Sequence, residues 1–328
     1  MARKSKSLAR RPKKLQPAPL TFTYSAAPIV GGASSRSMID LSQSASILNR
    51  RFYRQGLNWA VAGIKIQADQ PLTIFSQKLP NTWSCSNAWH KTFALWNKQL
   101  NETLEEGGNE SLRARFSDFK VYADVTHRTA GFAGNLLPID GIGNVAAAGE
   151  WDASHVVLPQ TAADGSGTLI DPTEFTLHMV GPSNVNSKGM IEGYADSRAF
   201  PQSPDPVGPS ASSMANNWMS AMFDVGSDNS EILDNAENEN DDLPYNQSNY
   251  PGGATQLPGL EFSDIASVYS TSATTNIGVA HLKGGNYPCG LMAVLIENHG
   301  DAPANIVIQV DLIPGEHRGY LAEPMQEM

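Results

Sequence analysis

The sequence predicts an all-β chain: an antiparallel β-sandwich in the form of a single eight-stranded jelly roll, with one main helix and long loop insertions. Three observations carry this expectation. Short segments of alternating apolar and polar residues recur along the chain, and only one stretch has a helical period. Turn formers are plentiful, with 28 Gly and 21 Pro in 328 residues, and only 17% of residues are charged, against about 25% in an average soluble domain. Because helices do not alternate with the strand signals, a parallel α/β sheet is disfavoured.

The N-terminal segment stands apart. Residues 1–20 carry Arg3, Lys4, Lys6, Arg10, Arg11, Lys13 and Lys14 with no acid. Like charges punctuated by Pro12, Pro17 and Pro19 offer no apolar surface to bury, so a disordered basic arm is expected. Extended, twenty residues reach about 66 Å. The chain's net charge is −10, so an arm of +7 leaves −17 for residues 21–328. Phosphate is the natural counterion of such an arm. Seven contacts to single-stranded nucleic acid would give a log-affinity against log-salt slope near −5, independent of base sequence. The competing reading of Arg10-Arg11-Pro12-Lys13-Lys14 is a nuclear-import signal or a solubilising tail.

Residues 21–58 mix Ser, Gly and Ala with scattered apolar residues and read as an irregular lead-in to a shell domain over 59–328. Within that domain Ile64, Ile66 and Ala68 alternate with Lys65 and Gln67, and Leu72 to Leu79 lies between Pro71 and Pro80, which predicts two strands. From about Asn87 to Glu106, Trp89, Phe93, Trp96, Leu100 and Leu104 recur at spacings of four, three, four and four, the mark of an amphipathic helix. Gly107 and Gly108 supply its stop. Three tryptophans, at 83, 89 and 96, could form a stacking platform for bases, but at helical spacing a stripe packed onto a sheet is the preferred reading. Phe119, Val121, Ala123 and Val125 alternate with Lys120, Tyr122 and Asp124 and predict a strand with one wet face, as do Phe175, Leu177 and Met179; residues 151–158 are a weaker candidate.

Residues 182–260 are rich in Pro, Asn, Ser, Asp and Gly and predict a long loop or protruding insertion. No Lys or Arg occurs from Ala199 to Leu282, and eight acids crowd into Asp224–Asp242. The chain then returns to strands. Leu291–Ile296 is continuously apolar, and Ile306, Ile308, Val310 and Leu312 alternate with Asn305, Gln309 and Asp311 before Pro314-Gly315.

No constellation for catalysis is visible. None of the seven histidines has a second His or Cys at a metal-ligand spacing, and zincin, CxxC, Walker and nucleophile-elbow patterns are missing. Asp124 and His127, placed on a strand, would point to opposite faces. The acidic block lacks the ligand order of an EF-hand. The expectation is therefore no enzyme, with no catalytic residue, no metal site and no cofactor. Cys85 and Cys289 do not suggest a disulfide framework, and no apolar run reaches the roughly 18 residues of a membrane span.

Several segments carry a resemblance to a known family: Asn49-Arg50-Arg51-Phe52-Tyr53-Arg54-Gln55-Gly56, Asn87-Ala88-Trp89, Phe116-Ser117-Asp118-Phe119-Lys120-Val121-Tyr122-Ala123-Asp124, Leu177-His178-Met179-Val180-Gly181-Pro182, Arg198-Ala199-Phe200-Pro201-Gln202-Ser203-Pro204-Asp205-Pro206 and the terminal His317-Arg318-Gly319-Tyr320-Leu321-Ala322-Glu323-Pro324-Met325. Together with the basic arm they resemble capsid proteins of circular, Rep-encoding single-stranded DNA (CRESS-DNA) viruses. The resemblance implies a coat protein that self-assembles, many copies closing into a small icosahedral shell. It implies a single-stranded DNA genome as cargo, with residence in the virion and passage through the host nucleus. The family's basic arm transfers to Arg3, Lys4, Lys6, Arg10, Arg11, Lys13 and Lys14. This arm is short, so further inward-facing cations are required, and Arg50, Arg51 and Arg54 are the candidates. Coat proteins of small RNA viruses share the layout, and a cellular nucleic-acid-binding β-sandwich is the alternative outside virology.

Overall fold

The computed structural model describes residues 17–109, 111, 113, 118–158, 173–197, 219, 259–269 and 277–328. The chain opens with strands β1 (Thr21–Ile29) and β2 (Ser34–Asp40), turns through helix α1 (Leu41–Asn49), and continues into β3 (Leu57–Ala68) and β4 (Leu72–Lys78). An insertion follows with helix α2 (Trp83–Glu106), helix α3 (Val125–Ala130), strands β5 (His155–Leu158), β6 (Thr173–His178) and β7 (Ser187–Gly189), and helix α4 (Met190–Ser197). The body resumes with β8 (Glu261–Val268), β9 (Gly278–Tyr287), β10 (Leu291–Asn298) and β11 (Ala304–Leu312), and closes with the short strands β12 (Pro314–Gly315), β13 (Gly319–Tyr320) and β14 (Ala322–Pro324).

Two sheets form the sandwich. One runs β1-β11-β3, with β9 on β3 and β14 paired to the first residues of β3; the other runs β2-β10-β4-β8, and every pairing in both is antiparallel. Setting the insertion aside, the eight body strands are thus arranged first-eighth-third-sixth facing second-seventh-fourth-fifth. That is the double Greek-key connectivity of a jelly roll, as the sequence predicted.

The core follows from period two. Phe22, Tyr24 and Ala26 on β1, Ile64, Ile66 and Ala68 on β3, and Ile306, Ile308 and Val310 on β11 meet Ile39, Leu72, Ile74, Met292, Val294 and Ile296 from the other sheet. Each large side chain removed from water contributes roughly 1.5–3 kcal/mol. The register of β3 shifts where Leu312 pairs with Val61 and Asp311 with Gly63, a bulge that lets Val61 and Ile64 both face inward despite their odd spacing. The continuous apolar run in β10 also has its reason here. Met292, Val294 and Ile296 enter the sandwich core, while Leu291 and Ala293 face a second core built from the insertion.

Four expectations need correction. Residues 21–58 are not an irregular lead-in: β1 and β2 are edge strands of the sandwich, with Phe22 and Tyr24 fully buried between exposed or half-buried Thr21, Thr23 and Ser25. Ser and Ala dilute the hydrophobic alternation without abolishing it. The long excursion does not start at 182; it is the whole connection between β4 and β8, beginning at Leu79. Residues 119–125 form no strand with a wet face. Lys120 is buried at 3% exposure, the segment joins β6 by a single bridge, Tyr122 to His178, and Asp124 caps α3, whose first residue is Val125. Finally, β5 and β6 exist as expected but lie outside the sandwich, in a three-stranded sheet whose β6–β7 pair is parallel. The acidic stretch Asp224–Asp242 lies outside the described residues.

Helix α2 begins earlier than its period suggested, capped by Thr82, whose hydroxyl accepts from the Cys85 N–H, and it stops at Gly107. A buried polar network anchors the insertion to the corner between β2 and α1. Asp40 Oδ1 accepts from the N–H groups of Ser42 and Gln43, and its Oδ2 accepts from Gln55 Nε2 at 3.1 Å and Trp151 Nε1 at 3.0 Å. Gln55 Oε1 accepts from the Val121 N–H at 2.6 Å, and Asn135 Nδ2 donates to Gln43 Oε1 at 3.0 Å. Four donors keep the fully buried Asp40 carboxylate solvated by protein, yet burial still pushes its pKa up to about 6.

Candidate nucleic-acid interface

The seven arm cations Arg3, Lys4, Lys6, Arg10, Arg11, Lys13 and Lys14 lie outside the described residues; the root from which the arm leaves the body does not. The Leu312 N–H donates to the Leu20 carbonyl at 2.7 Å, and Ala18 packs against the sandwich core. Tyr320 Oη donates to the Pro19 carbonyl at 2.7 Å and accepts from Asn49 Nδ2 at 2.8 Å. Tyr320 thereby ties Pro19, at the arm's root, to Asn49, the last residue of α1.

The end of α1 arranges the next cations. Arg50 is its C-cap, in the left-handed region with φ 52°, a conformation that costs a non-glycine residue roughly 1–2 kcal/mol. Its N–H serves the carbonyls of Ile47 and Ser46, and its charge sits at the negative end of the helix. The reversal brings Tyr53 inward, where it is buried to 1% exposure, and leaves Arg50, Arg51 and Arg54 exposed around it. Tyr53 is held by its own hydroxyl, which donates to the Arg318 carbonyl at 3.1 Å, and by Ser46 Oγ, which accepts its N–H at 2.9 Å.

Arg318 completes the patch. It too has a left-handed backbone, with φ 50°. Its guanidinium donates to the Phe52 carbonyl at 2.5 Å and lies 5.8 Å from the Tyr53 ring centre. The charges of Arg51 and Arg318 act on Tyr53, those of Arg54 and Arg318 act on His317, and Arg50 caps the end of α1, so four arginines occupy this helix end and the C-terminal turn beside it. His317 registers the resulting field: burial lowers its pKa, and the charges of Arg318 and Arg54 lower it further. A neutral imidazole there leaves the guanidiniums without a fifth like charge. Arginine is suited to the role because its planar fork matches a phosphate and stays charged at every physiological pH.

Sequence reasoning singled out Arg50, Arg51 and Arg54, neighbours in the chain, and all three are exposed. It missed Arg318, Tyr320 and Asn49. The only available signal for Arg318 was its place in the C-terminal His317-Arg318-Gly319-Tyr320 segment, because a residue 264 positions from Arg54 cannot be assigned to the same patch by spacing. Asp124 and His127 also sit differently from expectation, at the cap and first turn of α3 and not on opposite strand faces. The Asp124 carboxylate accepts from the His127 N–H at 2.8 Å and from Arg36 at 2.6 Å. The His127 ring accepts the Ala123 N–H at Nδ1 and so donates from Nε2 to Asn135 Oδ1 at 2.9 Å. Imidazole and carboxylate are not bonded to each other, and both partners of the ring are structural.

Among the described residues no group of three or more His, Cys, Asp or Glu is placed to hold a metal, and no helix is long and apolar enough to cross a membrane. Cys85 and Cys289 are both buried, free thiols, and burial pushes the Cys85 pKa up to about 12. Compared with known proteins, the chain matches no family model, no curated protein and no solved structure.

Proposed function

We propose that this chain is a viral coat protein that self-assembles into a small icosahedral capsid and packages a single-stranded DNA genome through its basic N-terminal arm. The observation that carries the reading is the arm's root: a jelly-roll body pins the base of a +7 segment to Tyr320, which also bonds Asn49 at the end of α1, where Arg50, Arg51 and Arg54 are exposed and Arg318 lies over Tyr53. Sixteen residues beyond Pro17 reach about 53 Å when extended, so the arm and the patch form one continuous phosphate-binding tract. The patch acts as the additional inward-facing charge that a short arm requires. Self-assembly draws support from the strand edges. Phe262 and Ile265 on β8 are 55% and 48% exposed, and Tyr269, Ile277 and Val279 near the β8 and β9 ends are 74%, 58% and 49% exposed. Apolar surface left open on an edge strand is what contact between subunits would bury.

The test is particle mass and the ratio of absorbance at 260 and 280 nm, measured by size-exclusion chromatography with light scattering for the full chain and for a variant lacking residues 1–16. Residues 17–20 are kept because Ala18, Pro19 and Leu20 bind the body. The expected result is megadalton particles that lose nucleic acid when the arm is removed, with the extracted polymer sensitive to DNase and not to RNase. A monomer or dimer across salt and pH would overturn the coat-protein reading in favour of a cellular nucleic-acid-binding module, and RNase sensitivity would replace DNA by RNA.

A further inference from the structure

The aromatic stripe of α2 packs into the second core with Leu291 and Ala293 of β10, as its helical spacing predicted, but not along its whole length. Trp89 is buried, but Phe93 and Trp96 are only half-buried. The rings of Trp89 and Phe93 lie 5.1 Å apart at 13°, and those of Phe93 and Trp96 lie 6.3 Å apart at 23°. Phe119 lies across all three, 5.3–5.9 Å from their centres. This wall borders an open cleft of about 130 Å³ whose lining includes Arg54, Gly56, Trp89, Phe93, Phe119 and Gln326. Drug-sized ligands occupy clefts of roughly 300–1,000 Å³, so this one has room for a single small ring system.

Two features say what kind of ring. Gly56 has no side chain because the Trp89 indole occupies that space: a Cβ there would lie 2.0 Å from Trp89 Cζ2. The indole is thus fixed in place at the cleft. Its Nε1 is buried out of reach of solvent and without a hydrogen-bond partner, so the ring meets the cleft with its carbon surface. The second is Arg54, an exposed cation in the lining of the cleft. An occupant that offers a flat aromatic body and an anionic group beside it meets both the wall and the cation. Nucleotides of a single strand have that composition, and aromatic walls beside cationic grooves hold single strands without regard to sequence.

We infer that this cleft receives one nucleobase of the packaged strand, with its ring against the Trp89, Phe93 and Phe119 wall and the adjoining phosphate on Arg54. The inference rests on the nucleic-acid reading above and adds a base-contacting site to a tract that otherwise touches phosphate alone. Electrostatic binding by the arm is blind to whether bases are present; the cleft is not.

The experiment measures affinity of the full chain for a thymidine oligonucleotide and for an abasic phosphodiester of the same length, by fluorescence anisotropy over a salt series. Base–aromatic contact predicts tighter binding of the thymidine oligomer by roughly 5- to 150-fold. Phe93→Leu, which keeps apolar bulk, should bring that ratio toward one while leaving the abasic affinity unchanged, and Phe93→Tyr should preserve it. Arg54→Gln, at an exposed position where folding is not at stake, should weaken both oligomers and flatten the salt slope by about 0.7. A base preference that survives Phe93→Leu, or an unchanged slope in Arg54→Gln, overturns the cleft assignment. Equal binding of both oligomers by the wild type overturns it too and leaves the arm's phosphate binding intact. Binding of neither oligomer removes the nucleic-acid reading itself. Loss of particles in Phe93→Leu with the base preference unchanged assigns the cleft to a neighbouring copy and overturns the inference.

Discussion

His127 offers the sharpest test of the buried network, because its ring is held neutral at a place where protonation has no partner. Burial is the largest cause of a pKa near 4, against 6.5 for an ordinary histidine, with Arg36 adding to the depression and Asn135 and Asp124 opposing it. The sign follows from proton counts. Between pH 6.5 and 4 the unfolded chain binds the proton and the folded chain does not, so the stability supplied by the neutral ring is complete above pH 6.5. It is lost progressively as pH falls to 4. The shift corresponds to about 3 kcal/mol. Asp40 works in the opposite direction: its folded pKa of about 6 lies above the ordinary 3.8. Its contribution is complete below pH 3.8 and is lost as pH rises through 6, again by about 3 kcal/mol. In the wild type the two nearly offset one another across the same window. His127→Gln keeps an acceptor and a donor on the side chain and removes the titration. It should lower stability at pH 7.5 by about 1–3 kcal/mol for imperfect hydrogen bonds. The variant should then regain about 3 kcal/mol relative to the wild type by pH 4. Urea-unfolding midpoints of both proteins at intervals from pH 7.5 to 4 measure the difference, and groups common to both cancel. Parallel profiles, agreeing within about 0.5 kcal/mol after a constant offset, would refute the argument that a buried neutral imidazole holds the insertion to the β2–α1 corner.

Three further outcomes are expected. Arg50→Gly should raise the melting temperature, because glycine adopts the left-handed cap without the roughly 1 kcal/mol cost borne by arginine, while flattening the salt dependence of oligonucleotide binding by about 0.7. Calorimetry and the salt series read the two effects separately. Tyr320→Phe removes the hydroxyl between Asn49 and Pro19. It should cost about 1–2 kcal/mol and hasten proteolysis near residue 20, seen by mass spectrometry of limited digests. Gly56→Ala places a methyl group against the Trp89 ring and should destabilise by about 1–3 kcal/mol, with a change in the near-ultraviolet dichroism of tryptophan.

The strands that local pattern revealed are those with strong apolar contrast. β4, β10 and β11 carry Leu, Ile and Val in period two or in an unbroken run, and α2 carries its aromatics in period 3.6; each is visible within about ten residues of chain. β1 has the same alternation, but its outward partners are Thr and Ser and one inward residue is Ala, so the contrast is weak and residues 21–58 read as irregular. The segment at 119–125 shows the opposite error. Its alternation is real, yet both faces are covered, with the Lys120 amine on Asp118 and 4.6 Å from the Trp151 ring. Period two reports an extended backbone and not whether a partner strand lies beside it.

By itself the sequence determined what depends on local composition: a cationic arm separated from an acidic remainder, a β-rich body, one long amphipathic helix and the run Arg50, Arg51 and Arg54. Charge and periodicity are properties of neighbours in the chain. The tertiary structure alone decided what depends on distant residues meeting. It placed Arg318 over Tyr53, pinned Pro19 to Tyr320, and turned β10 into a strand with a core on each face. It also left the Trp89, Phe93 and Phe119 wall open next to the arginines. Such contacts are set by the order in which eight strands enter two sheets, and that order is enforced by the burial of the whole core rather than by any one segment of the chain.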